Sequence, residues 1–421
     1  MKIRRIGDRE NQNHQAMDPE NEVSNFSCLP ISLLLEIFVR LPTSALIYCA
    51  LVCKSWHQFL SEPSFSDYYE KYSGNTHLLL PVVLYFCDPG SEPFYLLEFD
   101  KNGICTSRLI KVQLPARVPV QRWPSDFVVG SCNGLLVLTL FGRIVYISNP
   151  MTGGCIELPK PKKDRIEMDK VRYKIGFSPS ENKFKVMRVA YYTQNHNEVY
   201  NLSILTVGVD DEWRRLTLPC RKWWFSSNWI CANGAFHWIL EDNNGSSWIS
   251  TFDLAEEKFG RISHPPDVDL DSGDVRLELY DNRLTLIDSS YELHVDLWTM
   301  SDTKTWSKDE ILYSWFPSDL RLSKIFPVGK LRNGDVLFGN STRLIYIDVK
   351  GKTCSRIHVL HFPKILPSIM TYTPRFIPFK KDIMEGNEGD VHVQPTYVQE
   401  ESCPEKAAWK LRAWLCMLCS G

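Results

Sequence analysis

Polar and apolar positions divide this chain into unlike parts. Residues 1–25 are dominated by Asn, Gln, Glu and Asp and read as a disordered leader, within which Met17 is an alternative start. Between Pro30 and Pro42 the texture reverses: Ile31, Leu33, Leu34, Leu35, Ile37, Phe38 and Val39 crowd one short stretch. A helix packed on one core needs an apolar stripe of roughly 100°. Here Ile31, Leu34, Leu35 and Phe38 form one stripe, and Leu33, Ile37 and Leu41 form its neighbour at i, i+4, i+8. A second helix is predicted after Thr43 and Ser44, carrying Leu46, Ile47, Cys49, Ala50, Val52, Cys53, Trp56 and Leu60 and stopping before Pro63. "SFSDYYEKY" adds a short third turn or helix. A segment of about 45 residues cannot build a sufficient core alone. One stripe faces the other helices; the second needs a cover, either a partner protein or the rest of this chain.

From about residue 76 the period changes. Short runs such as "GLLVLTL", "FKVMRVAYY", "NLSILTV", "AFHWIL", "RLTLID" and "LIYIDV" alternate with Gly, Asn, Asp and Pro, and read as strands. Helix-length segments are nearly absent between them, so antiparallel pairing is expected. An outer hairpin recurs, in which an apolar strand ends in a polar residue, turns, and returns on an aromatic or aliphatic anchor. "YLLEFDKNGICTSRLI", "IVYISNPMTGGCIELP", "ISTFDLAEEKFGRIS" and "LIYIDVKGKTCSRIHV" are examples. The turns recur about every 45–57 residues, close to the period of propeller blades. Preceding hairpins carry Asn-Gly or Asp-Asn, as in "SCNGLL", "CANGAFHW", "LYDNRLTL" and "LRNGDVLF". The chain therefore reads as α+β: a helical unit over 26–72, then an all-β antiparallel domain over 76–380. The expected architecture is a β-propeller of about six blades, with a β-sandwich or irregular barrel as the other solution. "MTYTPRFIPF" is placed to pair with the first unit and close the ring. Residues 381–421 read as a tail ending in an amphipathic Trp- and Cys-containing stretch.

Composition narrows the function. Of 421 residues, 44% are hydrophobic and 23% charged, ordinary for a folded protein, and the net charge of −2 argues against general nucleic-acid binding. Thirteen scattered cysteines, no secretory pattern and no run long enough to span a bilayer suggest reduced thiols in cytosol or nucleus. "GSCNG" at Gly130–Gly134 has the spacing of a nucleophile elbow, but a strand follows it where the elbow requires a helix. Cys416 and Cys419 form a C-x-x-C without a second pair, so no metal site is expected there. Arg221, Trp223, Trp224 and Trp229 make an aromatic and cationic cluster of the kind found at interface hot spots and equally in blade cores. Carboxylates are never spaced to nominate a catalytic pair. No catalysis, cofactor or metal is expected.

The helical segment resembles an F-box. Leu29-Pro30, Leu33, Glu36-Ile37, Arg40-Leu41-Pro42, Leu46, Val52, Lys54-Ser55-Trp56 and Pro63 to Phe65 follow that pattern without a gap, and Ile47–Leu51 depart from it where plant members often carry Arg. The body is similar to the plant F-box-associated domain through "GSCNGLLVL", "ISNPMTGGCIELP", "YKIGFSPSENKFKVMRV", "ANGAFHWIL", "ISTFDLAEEKF" and "LWTMSDTKTWSK". The resemblance implies a non-catalytic substrate receptor of an SKP–cullin–F-box ubiquitin ligase. Its partners would be an Skp-family adaptor, through it cullin and RING subunits, and an unknown target; neither nucleic acid nor membrane is expected. The implied adaptor-binding residues are Leu29, Pro30, Leu33, Ile37, Leu41, Pro42, Leu46, Val52, Cys53 and Trp56, and the candidate target-binding residues are Arg221, Trp223, Trp224 and Trp229. A non-ligase F-box scaffold, and a propeller enzyme or sugar binder, are the rival readings.

Overall fold

The structure is a computed structural model. It describes residues 30–72 except 42 and 51, strands at 82–85, 94–97 and 110–111, residues 128–357 with breaks, residues 368–376 except 373, and 392–393. The breaks are 141–143, 153, 162–169, 195–196, 218–228, 242–245, 273, 281–282, 317–325, 331–334 and 340–343.

Among the described residues, four helices make the head: α1 (Ile31–Phe38), α2 (Thr43–Cys49), α3 (Lys54–Leu60) and α4 (Pro63–Tyr72). The Leu33 and Leu34 amides donate to the Pro30 carbonyl at 2.9 and 3.1 Å, which starts α1. Arg40 and Leu41 then bond to carbonyls three residues back, the tighter winding that commonly closes a helix. Residues 43–60, expected to form one helix, form two. Cys53 is extended (φ −157°, ψ 163°), and its Sγ accepts the Trp56 amide at 3.5 Å as the cap of α3. Pro63, expected only to stop a helix, begins α4, where its missing N–H leaves nothing unsatisfied. Phe38 is the centre of the head, edge-on to Trp56 at 4.9 Å and to Phe65 at 6.4 Å.

Among the described residues the strands form six antiparallel sheets, five of four strands and one of five. The first holds β1 (Val82–Tyr85), β2 (Phe94–Leu97) and β3 (Ile110–Lys111), with β24 (Ser368–Thr371) beside β1. The second holds β4 (Val128–Cys132), β5 (Leu135–Leu140), β6 (Ile144–Asn149) and β7 (Gly154–Glu157), joined by β25 (His392–Val393) from beyond residue 380. The third runs β8 (Lys170–Ser178), β9 (Lys183–Gln194), β10 (Asn197–Thr206), β11 (Arg214–Leu216), and the fourth β12 (Ile230–Ala232), β13 (Ala235–Glu241), β14 (Ser247–Asp253), β15 (Lys258–Ile262). The fifth comprises β16 (Val275–Tyr280), β17 (Arg283–Asp288), β18 (His294–Met300) and β19 (Trp306–Leu312); the sixth comprises β20 (Phe326–Lys330), β21 (Val336–Gly339), β22 (Leu344–Asp348) and β23 (Thr353–Ile357). Leading strands β4, β8, β12, β16, β20 and β24 lie against one another in that order, so the sheets radiate as in a propeller. The late strand closes the ring: β24 pairs with β1, Thr371 opposite Val82 and Ser368 opposite Tyr85.

Local chemistry explains the repeat. Asn133 and Gly134 (φ 44° and 77°), and Asn233 and Gly234 (φ 50° and 75°), turn β4 into β5 and β12 into β13 through left-handed backbone. In the second, fourth and sixth sheets the polar residue ending the apolar outer strand caps the turn that follows. Asp253 Oδ1 accepts the Ala255 and Glu256 amides at 2.8 Å, Asp348 Oδ1 the Gly351 amide at 2.7 Å, and Asn149 Oδ1 the Met151 amide at 2.9 Å. Polar groups, one of them the buried Lys185, tie neighbouring sheets. Lys185 on β9 donates to the Leu254 carbonyl at 2.5 Å and to Glu257 at 3.0 Å, and Arg214 on β11 forks onto Glu257 at 2.6 and 2.7 Å. Those hydrogen bonds, Arg214's above all, hold the Glu257 carboxyl down to about 2.

Head and propeller share one core. Leu34, Phe38, Leu46, Trp56, Phe65 and Tyr69 belong to the same buried cluster as Leu136, Leu138 and Tyr146 of the second sheet and Tyr372 and Phe376. Phe376 lies 6.4 Å from both Phe65 and Tyr69. The segment after β24 is fixed on the second sheet by Tyr372 Oη donating to the Gly134 carbonyl at 2.9 Å and Asn149 Nδ2 to the Arg375 carbonyl at 3.0 Å.

Candidate functional site

The two apolar stripes of α1 meet different surroundings. On the first, Leu34 and Phe38 are buried and Leu35 is partly so, but Ile31 is 64% exposed. On the second, Leu33 is 50% exposed, Ile37 is half-buried and Leu41 is fully buried, with its carbonyl accepting Tyr69 Oη at 3.2 Å. Val52, between α2 and α3, is 45% exposed. The chain's own β domain thus covers one side of the head and leaves apolar side chains of another side in water. Arg40 and Glu36 pair at 2.7 Å on the open part of α1, and Tyr68 Oη reaches Glu36 at 3.4 Å.

The expected adaptor-contacting residues divide accordingly. Pro30, Leu33 and Val52 are exposed, and Ile37 and Cys53 are half-buried, Cys53 also serving as the α3 cap. Leu41, Leu46 and Trp56 are buried in the head's core and present no surface of their own. Leu29 and Pro42 lie outside the described residues. Ile31 shares a stripe with Leu34 and Phe38 and is not among the expected adaptor contacts, yet it is exposed. It sits in the first turn, where the stripe overhangs the helices it packs on; periodicity identifies a face but not how far along it the cover extends.

Of the aromatic cluster, Trp229 is buried edge-on against Phe236 at 6.4 Å, a packing role; Arg221, Trp223 and Trp224 lie outside the described residues, as do the leader and the Cys416–Cys419 tail. Cys132 ends β4 immediately before the Asn-Gly turn, so "GSCNG" forms a hairpin. Its thiol is pushed well above its ordinary range by a hydrogen bond with Cys231 and by burial, the opposite of what a thiolate nucleophile needs. Lys174, beside both thiols, has its amine pulled down by burial. Among the described residues no helix is long and apolar enough to cross a membrane.

A small helical head with an uncovered apolar face is thus carried on a closed ring of antiparallel sheets. Residues 98–372 match the F-box associated beta propeller domain, and residues 26–66 match the F-box-like family. The chain therefore belongs to the F-box proteins that carry an F-box-associated propeller. It is similar to F-box protein At3g07870 of Arabidopsis thaliana, with 24% identity over 80% of this chain and 85% of that one. It is also similar to putative F-box protein At1g47790 (26%; 71% and 75% covered) and F-box protein DOR (28%; 56% and 62% covered), both of the same plant.

Proposed function

We propose that this chain is the substrate-recognition subunit of an SKP–cullin–F-box ubiquitin ligase. The head docks an Skp-family adaptor, and through it cullin and RING subunits, while the propeller holds a target protein. The observation that carries this reading is the exposure of Ile31, Leu33 and Val52 on a head whose other side is already packed on the propeller. Large apolar side chains grouped on one small unit lose water-exposed area only when another polypeptide covers them. The chain itself makes no bond. Its contribution is proximity, raising the local concentration of target lysines near a charged conjugating enzyme. Adaptor contact falls to Pro30, Ile31, Leu33, Ile37, Val52 and Cys53; Leu41, Leu46 and Trp56 act from beneath by setting the angle of α1. Loops between strands, which tolerate variation, supply target contacts. The ligase part of the proposal makes this a cytoplasmic or nuclear protein.

Two measurements test it. Affinity purification of the full chain should bring down adaptor and cullin together; adaptor without cullin would favour the scaffold reading. Proximity labelling should then compare the wild type with a Leu33→Asp variant. Targets should accumulate around the variant, because they are still bound but no longer degraded. Identical labelled sets at identical abundance would remove the ligase role.

A further inference from the structure

The outer strands of the fifth sheet, β18 and β19, carry a cluster of ionisable side chains. β18 and β19 pair with Asp296 directly opposite Glu310 and His294 opposite Leu312. Residues two apart share a face of a strand, so His294, Asp296 and Glu310 converge. One ligand-capable atom from each lies within 4.8 Å of the others. Two carboxylates facing each other across a ladder repel. Burial sharpens the conflict, because Asp296 is only 1% exposed.

Part of the charge is answered. Lys308 Nζ stands 2.7 Å from Asp296 Oδ2 and lies over the Trp298 ring at 5.5 Å. The other oxygen is not answered: Asp296 Oδ1 is buried and accepts no hydrogen bond. It faces His294 Nε2 at 3.5 Å. The imidazole is stacked on Tyr291, ring centres 4.4 Å apart and planes 16° apart, which fixes its orientation. A buried carboxylate oxygen that accepts no hydrogen bond costs on the order of 1–3 kcal/mol, and His294 offsets it only as a protonated ion-pair partner, so a cation is the better occupant.

We propose that His294 Nε2, Asp296 Oδ1 and the Glu310 carboxylate bind a divalent metal ion of the zinc and manganese type. One imidazole nitrogen and two carboxylate oxygens, with no thiolate, suit such ions and disfavour Cu(I). Donors around a tetrahedral ion sit about 3.5 Å apart, so the three groups must draw in by about 1 Å. Glu310 is exposed and its long side chain allows that movement. Lys308, holding the second oxygen of Asp296, orients the buried ligand as an outer hydrogen-bond partner does in metal sites. The cation removes the repulsion across the ladder, satisfies Oδ1, and joins β18 to β19. With three protein ligands it keeps at least one position for water.

Mn2+ is the suitable probe, because it prefers oxygen and nitrogen donors and leaves the thirteen cysteines aside. Added to the full-length chain, it should lose its free-ion paramagnetic resonance signal at one equivalent and show coupling to a single imidazole nitrogen. It should also raise the unfolding temperature. His294→Gln should abolish the nitrogen coupling and weaken binding by at least about tenfold, and Glu310→Gln should weaken it similarly. Both sites are near the surface, and an unchanged unfolding temperature without metal establishes that the variants fold. A free-ion signal that persists with wild type up to about 1 mM ion, a standard-state affinity of only about −4 kcal/mol, overturns the proposal. So does equal binding by both variants.

Discussion

His237 shows how one buried residue sets a response to acid. It sits on β13 opposite Ile230 and Thr251, almost wholly out of water, and burial pulls its imidazole down to about 4 against a backbone hydrogen bond at Ala235. The unfolded chain therefore binds a proton that the folded chain refuses between about pH 6.5 and pH 4. Stability falls as pH drops through that window, by up to about 3 kcal/mol from this group. His237→Leu should lose correspondingly less stability than wild type in urea unfolding at the two ends of the window. Equal losses would assign the acid sensitivity to other groups. At this scale the sequence disclosed chemistry but not exposure. Leu33 and Leu41 are the same residue on the same stripe, yet one lies in water and the other beneath Tyr69. Trp229 likewise offered both a packing and a recognition reading, and Phe236, on the neighbouring strand β13, decides for packing.

Elements were more legible than residues. Period-2 alternation, Asn-Gly turns and a polar residue at the end of each outer strand foretold the hairpins, because each follows from backbone geometry within a few residues. The Asn133-Gly134 and Asn233-Gly234 turns have the left-handed φ values that this sequence signal demands. The split between α2 and α3 was missed, since apolar spacing continues through Leu51–Cys53 and a cysteine is an uncommon cap. Contacts between sheets were hidden too. Gly176 on β8 has no special φ, but a Cβ there would stand 2.7 Å from Leu254, 2.9 Å from Cys231 and 2.9 Å from Phe236. Gly176→Ala should cost about 1–3 kcal/mol by forcing the third and fourth sheets apart. Thermal unfolding within error of wild type would show that these side chains yield without strain.

On the scale of the whole molecule, the ring's closure and the head's position are one feature. β24 completes the first sheet, and the residues just after it run over the second sheet to Phe376, against which Phe65 and Tyr69 of α4 pack. Phe376→Ala should cost about 3–5 kcal/mol and speed amide exchange in α4 together with β24. Exchange faster in only one of them would mean that head and ring open independently. The propeller was readable because its repeat is written in the chain. The side from which it supports the head was not, since that depends on the second sheet and on Phe376, more than 300 positions from Phe65 and Tyr69, and no local pattern encodes such a pairing.

On the proposed function, the head remains incomplete until an Skp-family adaptor covers it. The direct measurement is calorimetric titration of a purified adaptor into the full-length chain and into a folded Ile31→Ala, Leu33→Ala double variant. Saturable one-to-one binding, weakened by about 30-fold or about 2 kcal/mol in the double variant, is the predicted result. No binding by the well-folded wild type, or equal affinity for both proteins, would contradict it.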